Sequence, residues 1–342
     1  PPQHVIDKLC EVAQKPDAHG YSASSGIPGI RRAQANYYGR RFNVDLDPET
    51  EVVMTMGSKE GLASLAQAIT APGDVVLAPN PSYPIHTFGF IIAGATIRAV
   101  PTTPDERYWE SLERAMALTV PRPSVLIVNY PSNPTAETVD LAFYERLVAW
   151  AKENQVWILS DLAYSELYFD GNPTRSILEV PGAKDVAVEF TSMSKTFSMA
   201  GWRVGFAVGN AKLIAALKRV KSYLDYGAFT PIQAAACAAL NGPQDIVEKN
   251  RVLYQKRRDV MIEAFGRAGW DIPPPKASMF AWAPLPPALK DMGSLEFSKQ
   301  LLTHAEVAVA PGVGYGEDGE GYVRIAMVEN EQRLRQAARH VK

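Results

Sequence analysis

The sequence predicts an α/β fold: a large domain built on a mostly parallel seven-stranded sheet flanked by helices, with a smaller α/β domain beside it. Three observations lead there. From residue 51 onward short runs rich in β-branched residues alternate with helical patterns, the runs are apolar at consecutive positions, and the alternation stops after Gly242-Pro243. Alternation of this kind marks parallel βαβ units, and continuous apolar runs mark strands covered on both faces.

Taken in order, residues 5–15 read as a helix that leads through the Gly/Pro-punctuated stretch 20–29 into the large domain. The expected strands are 51–55, 74–78, 96–100, 125–129, 156–160, 186–190 and 204–208, with helices such as 59–70 and 141–153 between them. A long charged helix over about 246–268 then precedes the break Pro273-Pro-Pro275 and a mixed strand and helix region. This divides the chain into a large domain, 30–240, and a small one made of 1–29 and 241–342, with the first helix expected to pack against the C-terminal part.

Composition removes several classes of function. The 342 residues are 46% apolar and 21% charged, an ordinary globular balance with material for more than one core. With 35 basic and 37 acidic residues and no basic run, neither nucleic acid nor a membrane surface is an expected partner. The two cysteines, Cys10 and Cys237, are far apart and lack His or Cys neighbours at ligand spacing, so no disulfide framework or metal site is expected and the cytoplasm is the expected location. No apolar stretch reaches the roughly 20 residues that span a bilayer. No signal-like segment follows Pro1-Pro2, so export is not expected.

In sheets of this kind ligands bind beyond the carboxyl ends of the strands, and chemistry-bearing residues cluster there. Gly57-Ser58-Lys59-Glu-Gly61 follows the first strand and opens a helix whose free amides form a seat for phosphate; Ser58 equally serves as a plain N-cap. Tyr83, between prolines after the second strand, offers a face on which a flat ring can stack, or simply packs. Asn133, set between Pro131 and Pro134, presents an amide that can donate to a phenolate or carboxylate. Asp161 ends the strand 156–160, where burial demands a compensating cation; a protonated pyridinium supplies one, a helix cap or metal site being the other readings. Tyr164 reaches from the same loop. Arg324 stands mid-strand in the small domain and suits a substrate carboxylate or an inter-domain ion pair.

The segment Thr191-Ser-Met-Ser-Lys195-Thr-Phe-Ser-Met-Ala-Gly-Trp-Arg203-Val-Gly205 gives these stations a centre. An amine flanked by hydroxyls, with an arginine eight positions on, suits pyridoxal 5'-phosphate: the amine bonds to the aldehyde while hydroxyls and guanidinium hold the phosphate.

Together the stations resemble, in order and over nearly the whole chain, the class I aminotransferases of the pyridoxal phosphate fold-type I superfamily. The resemblance implies that Lys195 is the Schiff-base lysine and proton shuttle, Asp161 the pyridinium partner, Tyr164 and Asn133 the ligands of the ring oxygen, and Tyr83 the stacking aromatic. It assigns the phosphate to Ser58, Lys59, Ser192 and Arg203, and the substrate α-carboxylate to Arg324. Tyr21, in His19-Gly-Tyr-Ser, resembles the tyrosine that reaches the phosphate from the partner subunit, which implies a homodimer with shared active sites. The implied reaction moves an amino group between an L-amino acid and a 2-keto acid in ping-pong fashion.

Within the class, the segments 221–231, Asn133-Pro-Thr-Ala136 and Pro275-Lys-Ala-Ser-Met279 are most similar to bacterial alanine (glutamate–pyruvate) aminotransferases. Diaminopimelate and aspartate aminotransferases share much of this, and a C–S β-lyase of the same fold is a further alternative. Aspartate-specific members use a second arginine near 225–235, and here none occurs between Arg219 and Arg251. The family's N-terminal arm, with its substrate-facing glycine, corresponds to residues before Pro1.

Overall fold

The computed structural model describes residues 1–342. Seven strands, β1 (Val52–Thr55), β2 (Val75–Asn80), β3 (Thr96–Pro101), β4 (Val125–Asn129), β5 (Trp157–Asp161), β6 (Ala187–Ser192) and β7 (Gly205–Gly209), form one sheet in the order β1-β7-β6-β5-β4-β2-β3. Each falls within two residues of its expected run. The pairs β2–β3, β2–β4, β4–β5 and β5–β6 are parallel, whereas β7 is antiparallel to both β6 and β1. Six strands therefore point one way and only β7 is reversed.

The continuous apolar runs are explained by helices on both faces. Along β4, Leu126 and Val128 enter one core with the helices Pro28–Phe42 and Leu141–Asn154, while Val125 and Ile127 enter the other with Ser58–Ile69 and Ala211–Leu224. Period-two geometry sends alternate side chains to opposite faces, so both must be apolar. Edge strand β3 escapes this demand, and Thr96 and Ala99 are exposed. The helix starts are set locally: Asp140 Oδ1 accepts from Phe143 N at 2.9 Å, and Asn210 Oδ1 from Lys212 N at 3.0 Å.

A second sheet, β8 (Phe280–Pro284), β9 (Ala310–Pro311) and β10 (Tyr322–Ala326), is antiparallel in the order β8-β10-β9. It has its own core, in which Val323 and Ile325 pack with Phe265, Trp270, Phe297 and Leu334.

One packing expectation is corrected. The first helix, Gln3–Ala13, lies not against the C-terminal region but on the helix Thr230–Asn241. Its Val5 is fully buried in the core that contains Ala235, Ala236, Ala239 and Leu240. The small alanines let the two helix backbones approach closely, and this provides the apolar surface that the helix needs.

Candidate active site

The reversed strand is what assembles the site. Because β7 runs against the others, its amino end lies where theirs finish, and Gly205 is paired with both Thr55 and Ser192. Arg203, just before it, adopts a left-handed backbone (φ 57°) and is thereby delivered beside the start of the helix Ser58–Ile69. Gly57 precedes that helix at φ 84° and supplies no side-chain cap, so the first amides of the helix stay free. Glycine is required on both sides of this junction. A Cβ on Gly57 would collide with the Arg203 guanidinium, and one on Gly205 would stand 2.6 Å from Ser58 N.

Arg203 Nη1 donates to Ala200 O at 3.0 Å and Nη2 to Met56 O at 3.3 Å, which fixes the fork beside the free amides. Ser192 Oγ accepts from Ser194 N at 3.2 Å and caps the short helix Met193–Thr196, which carries Lys195. Burial above all, then the charges of Arg324 and Arg203, hold the Lys195 amine below the usual lysine range. That shift enlarges the fraction of neutral, nucleophilic amine.

Opposite stands the buried Asp161 at the end of β5. Its Oδ2 lies 2.9 Å from His86 Nε2 and its Oδ1 accepts from Ala163 N at 3.2 Å. His86, fully buried, places Nδ1 3.3 Å from Ser82 Oγ. Asn129, paired with Asp161 in the sheet, ties the two loops: its Nδ2 donates to Asp161 O at 2.8 Å and its Oδ1 accepts from Asn133 N at 2.8 Å. Tyr164 is buried, and burial together with the Asp161 charge raises its phenol well above the usual range, so it remains a donor. The Lys59 ammonium stands 5.7 Å from the Tyr83 ring centre.

Arg324 arrives from β10. Its Nη1 donates to Asn133 Oδ1 at 2.8 Å, its Nε is buried without a partner, and its Cζ lies 4.0 Å from the Phe280 ring centre. Among the sequence-level alternatives, the inter-domain ion pair is not formed, since the partner is a neutral amide. The side chain lines the cavity and Nη2 makes no hydrogen bond, so the guanidinium has a donor left to offer a carboxylate.

Ser58, Lys59, Tyr83, Asn133, Asp161, Tyr164, Ser192, Lys195, Arg203 and Arg324 all line one cavity of about 310 Å³. Tyr21 does not: it is 89% exposed and packs on Tyr226 with ring centres 4.6 Å apart. Asn129, Ser194 and Phe280 also line the cavity, and His86 stands behind Asp161; Ser194 was signalled only as a hydroxyl flanking Lys195, and sequence reasoning missed the other three. The only signals were that His86 follows Tyr83 by three residues and that Asn129 closes a strand. A larger hollow of about 720 Å³, walled by Tyr130, Phe143, Asn172 and Lys276, contains none of the expected residues.

The donor set fits pyridoxal 5'-phosphate. Free helix amides, hydroxyls and Arg203 suit its phosphate; Asp161 suits a protonated ring nitrogen; Tyr164 and Asn133 suit an anionic ring oxygen; and Lys195 suits the aldehyde.

Comparison with known proteins agrees. The family model "Aminotransferase class I and II" matches residues 1–341. AatC of Rhizobium meliloti is 64% identical over 341 residues, covering 100% of this chain and 84% of the relative. Glutamate-pyruvate aminotransferase AlaC of Escherichia coli is 52% identical over 341 residues, covering 100% of this chain and 83% of the relative. The substrate-bound structure of BacF from Bacillus subtilis superposes with a TM-score of 0.92 at 36% identity, covering 99% of this chain and 86% of that one. The chain thus belongs to the class I and II aminotransferases, and it is a pyridoxal phosphate-dependent transaminase.

Proposed function

We propose that the enzyme exchanges the amino group of L-alanine with 2-oxoglutarate, as a glutamate–pyruvate aminotransferase. The observation that carries the transaminase chemistry is the convergence of Lys195, Asp161 and Arg324 on one cavity. The alanine reading is supported by the 52% identity to a glutamate-pyruvate aminotransferase and by the lack of any arginine between Arg219 and Arg251 for a dedicated side-chain carboxylate clamp.

In this mechanism Ser58, Lys59, Ser192, Arg203 and the open amides of the helix 58–69 hold the phosphate. Asp161, braced by His86, keeps the ring nitrogen protonated, and Tyr164 and Asn133 hold the ring oxygen. Tyr83 covers the ring face. When bound, the cofactor supplies an electron sink for the pair released as the substrate Cα–H bond breaks. Lys195 would contribute the neutral amine that anchors the cofactor and, when free, would take the proton from Cα of the amino donor in one half-reaction and supply one to Cα of the keto acceptor in the other. Arg324 binds the α-carboxylate of amino donor and keto acceptor alike, so one site serves both halves of a ping-pong cycle.

Tyr21, exposed and not part of the cavity lining in its own chain, completes the partner's phosphate site in a homodimer working in the cytoplasm. Residues 30–240 act as the cofactor-binding domain and 241–342 supply Arg324, with the helix Gln3–Ala13 belonging to the former. A panel of amino donors against 2-oxoglutarate tests the substrate assignment. L-Alanine is expected to give the highest kcat/KM; a tenfold preference for diaminopimelate or aspartate would overturn it.

A further inference from the structure

We propose that Tyr315 is a positioning residue for carboxylate recognition, holding Arg324 in its binding orientation from outside the cavity. This rests on Arg324 being the carboxylate-binding group. Arg324 is secured on one edge only, by Asn133, and a long side chain tethered at one nitrogen keeps much of its rotamer freedom. Two aromatic rings restrict the rest: Phe280 at 4.0 Å from Cζ and Tyr315 at 4.9 Å. Phe280 lines the cavity itself, whereas Tyr315 is not among the lining residues.

Tyr315 is in turn held from two directions. Its ring meets Trp282 edge-on at 6.0 Å, and Trp282 stacks on Tyr322 at 5.3 Å with an interplanar angle of 6°. Its carbonyl accepts from Ser82 N at 2.8 Å, across from the small sheet to the loop that carries Tyr83. Gly316, next in the chain at φ 128°, allows this approach, since a Cβ there would collide with the Asn80 side chain. The loop at 312–319 therefore reads both walls of the cavity, and the Tyr315 ring transmits its placement to the guanidinium. The ring face, not the hydroxyl, carries the effect, because the attraction is that of a cation for the π-system.

The test uses the intact holoenzyme with L-alanine and, in the reverse direction, pyruvate. Tyr315→Leu is expected to raise KM for both roughly tenfold, the scale of one partly desolvated cation–π contact. It should leave kcat within about threefold and cofactor affinity unchanged, because uniform binding is what is lost. Tyr315→Phe, which keeps the ring, is expected to match the parent enzyme. Three results overturn the proposal. If Tyr315→Leu leaves KM unchanged while Arg324→Lys raises it, Arg324 needs no help from Tyr315 and the carboxylate assignment survives. If Arg324→Lys also leaves KM unchanged, the carboxylate assignment falls as well. If Tyr315→Leu raises KM but lowers kcat and cofactor affinity as well, or Tyr315→Phe is equally impaired, the role is general support of the loop or belongs to the hydroxyl.

Discussion

His86 Nε2 lies 2.9 Å from Asp161 Oδ2, with both side chains buried and Ser82 Oγ 3.3 Å from the other ring nitrogen. A carboxylate in this position has few other donors, so the imidazole is what keeps it in place. A hydrogen bond to a charged group contributes about 1.5–3 kcal/mol, or roughly 10- to 100-fold in an equilibrium constant. His86→Ala is accordingly expected to weaken cofactor binding by that factor, and His86→Gln, whose amide still donates, to recover part of it. Equilibrium dialysis decides; unchanged affinity in His86→Ala would show that Asp161 needs no brace.

The junction of Gly205 with the helix start yields a second expectation. A methyl group on Gly205 would meet Ser58 N at 2.6 Å and Gly57 C at 2.7 Å, both backbone atoms that cannot swing away. Gly205→Ala is expected to destabilise the protein by about 1–3 kcal/mol and to lower cofactor affinity. Thermal melts with and without added cofactor measure both, and a parental melting point together with parental affinity would contradict the tight junction.

Lys195 titrates below the usual lysine range through burial first and through Arg324 and Arg203 next. Removing a positive neighbour favours the protonated amine, so Arg324→Gln must move its titration to higher pH. The pH dependence of Lys195 acylation in the cofactor-free protein, followed by peptide mass spectrometry, measures this. A profile that stays in place or moves downward would exclude the coupling.

Glu189 offers a test away from the chemistry. It is fully buried beneath the sheet, and burial pushes its carboxyl up to about 7 despite donors from Tyr38, Ser176, Ser160 and Ile177 N. A raised carboxyl contributes stability that is fully present below its unfolded value, near 4.5, and is lost as pH rises through about 7. Stability relative to Glu189→Gln should therefore decline between pH 5 and pH 8, by at most about 3 kcal/mol. A difference that is flat across that range would refute the shift.

Much of this was legible in the sequence because strand positions follow from burial on both faces: the run 125–129 appears in the structure unchanged as β4. The reversal of β7 was not legible, since a strand covered on both faces carries the same apolar run in either direction. Of the ten expected residues that line the cavity, eight could be read from where the strands end, Arg203 from its spacing to Lys195 and Arg324 from its place within an apolar strand. His86 could not, because it sits in the strongly apolar helix Ile85–Ile92 and its partner is 75 residues away. Asn129 read as the end of a strand, and only the register with Asp161 reveals it as a tie between two loops. The partner of the first helix was hidden for a related reason: a helical period shows which face is buried but not against what.

In the proposed mechanism Lys195 is the amine that holds the cofactor. Borohydride reduction of the holoenzyme followed by tryptic mapping tests it most directly, because reduction makes the lysine–cofactor bond permanent. The pyridoxyl mass increment is expected on the peptide containing Lys195 alone, and it should be lost in Lys195→Ala together with turnover. An increment on Lys59 or Lys221, or a Lys195→Ala enzyme that still transaminates, would contradict it.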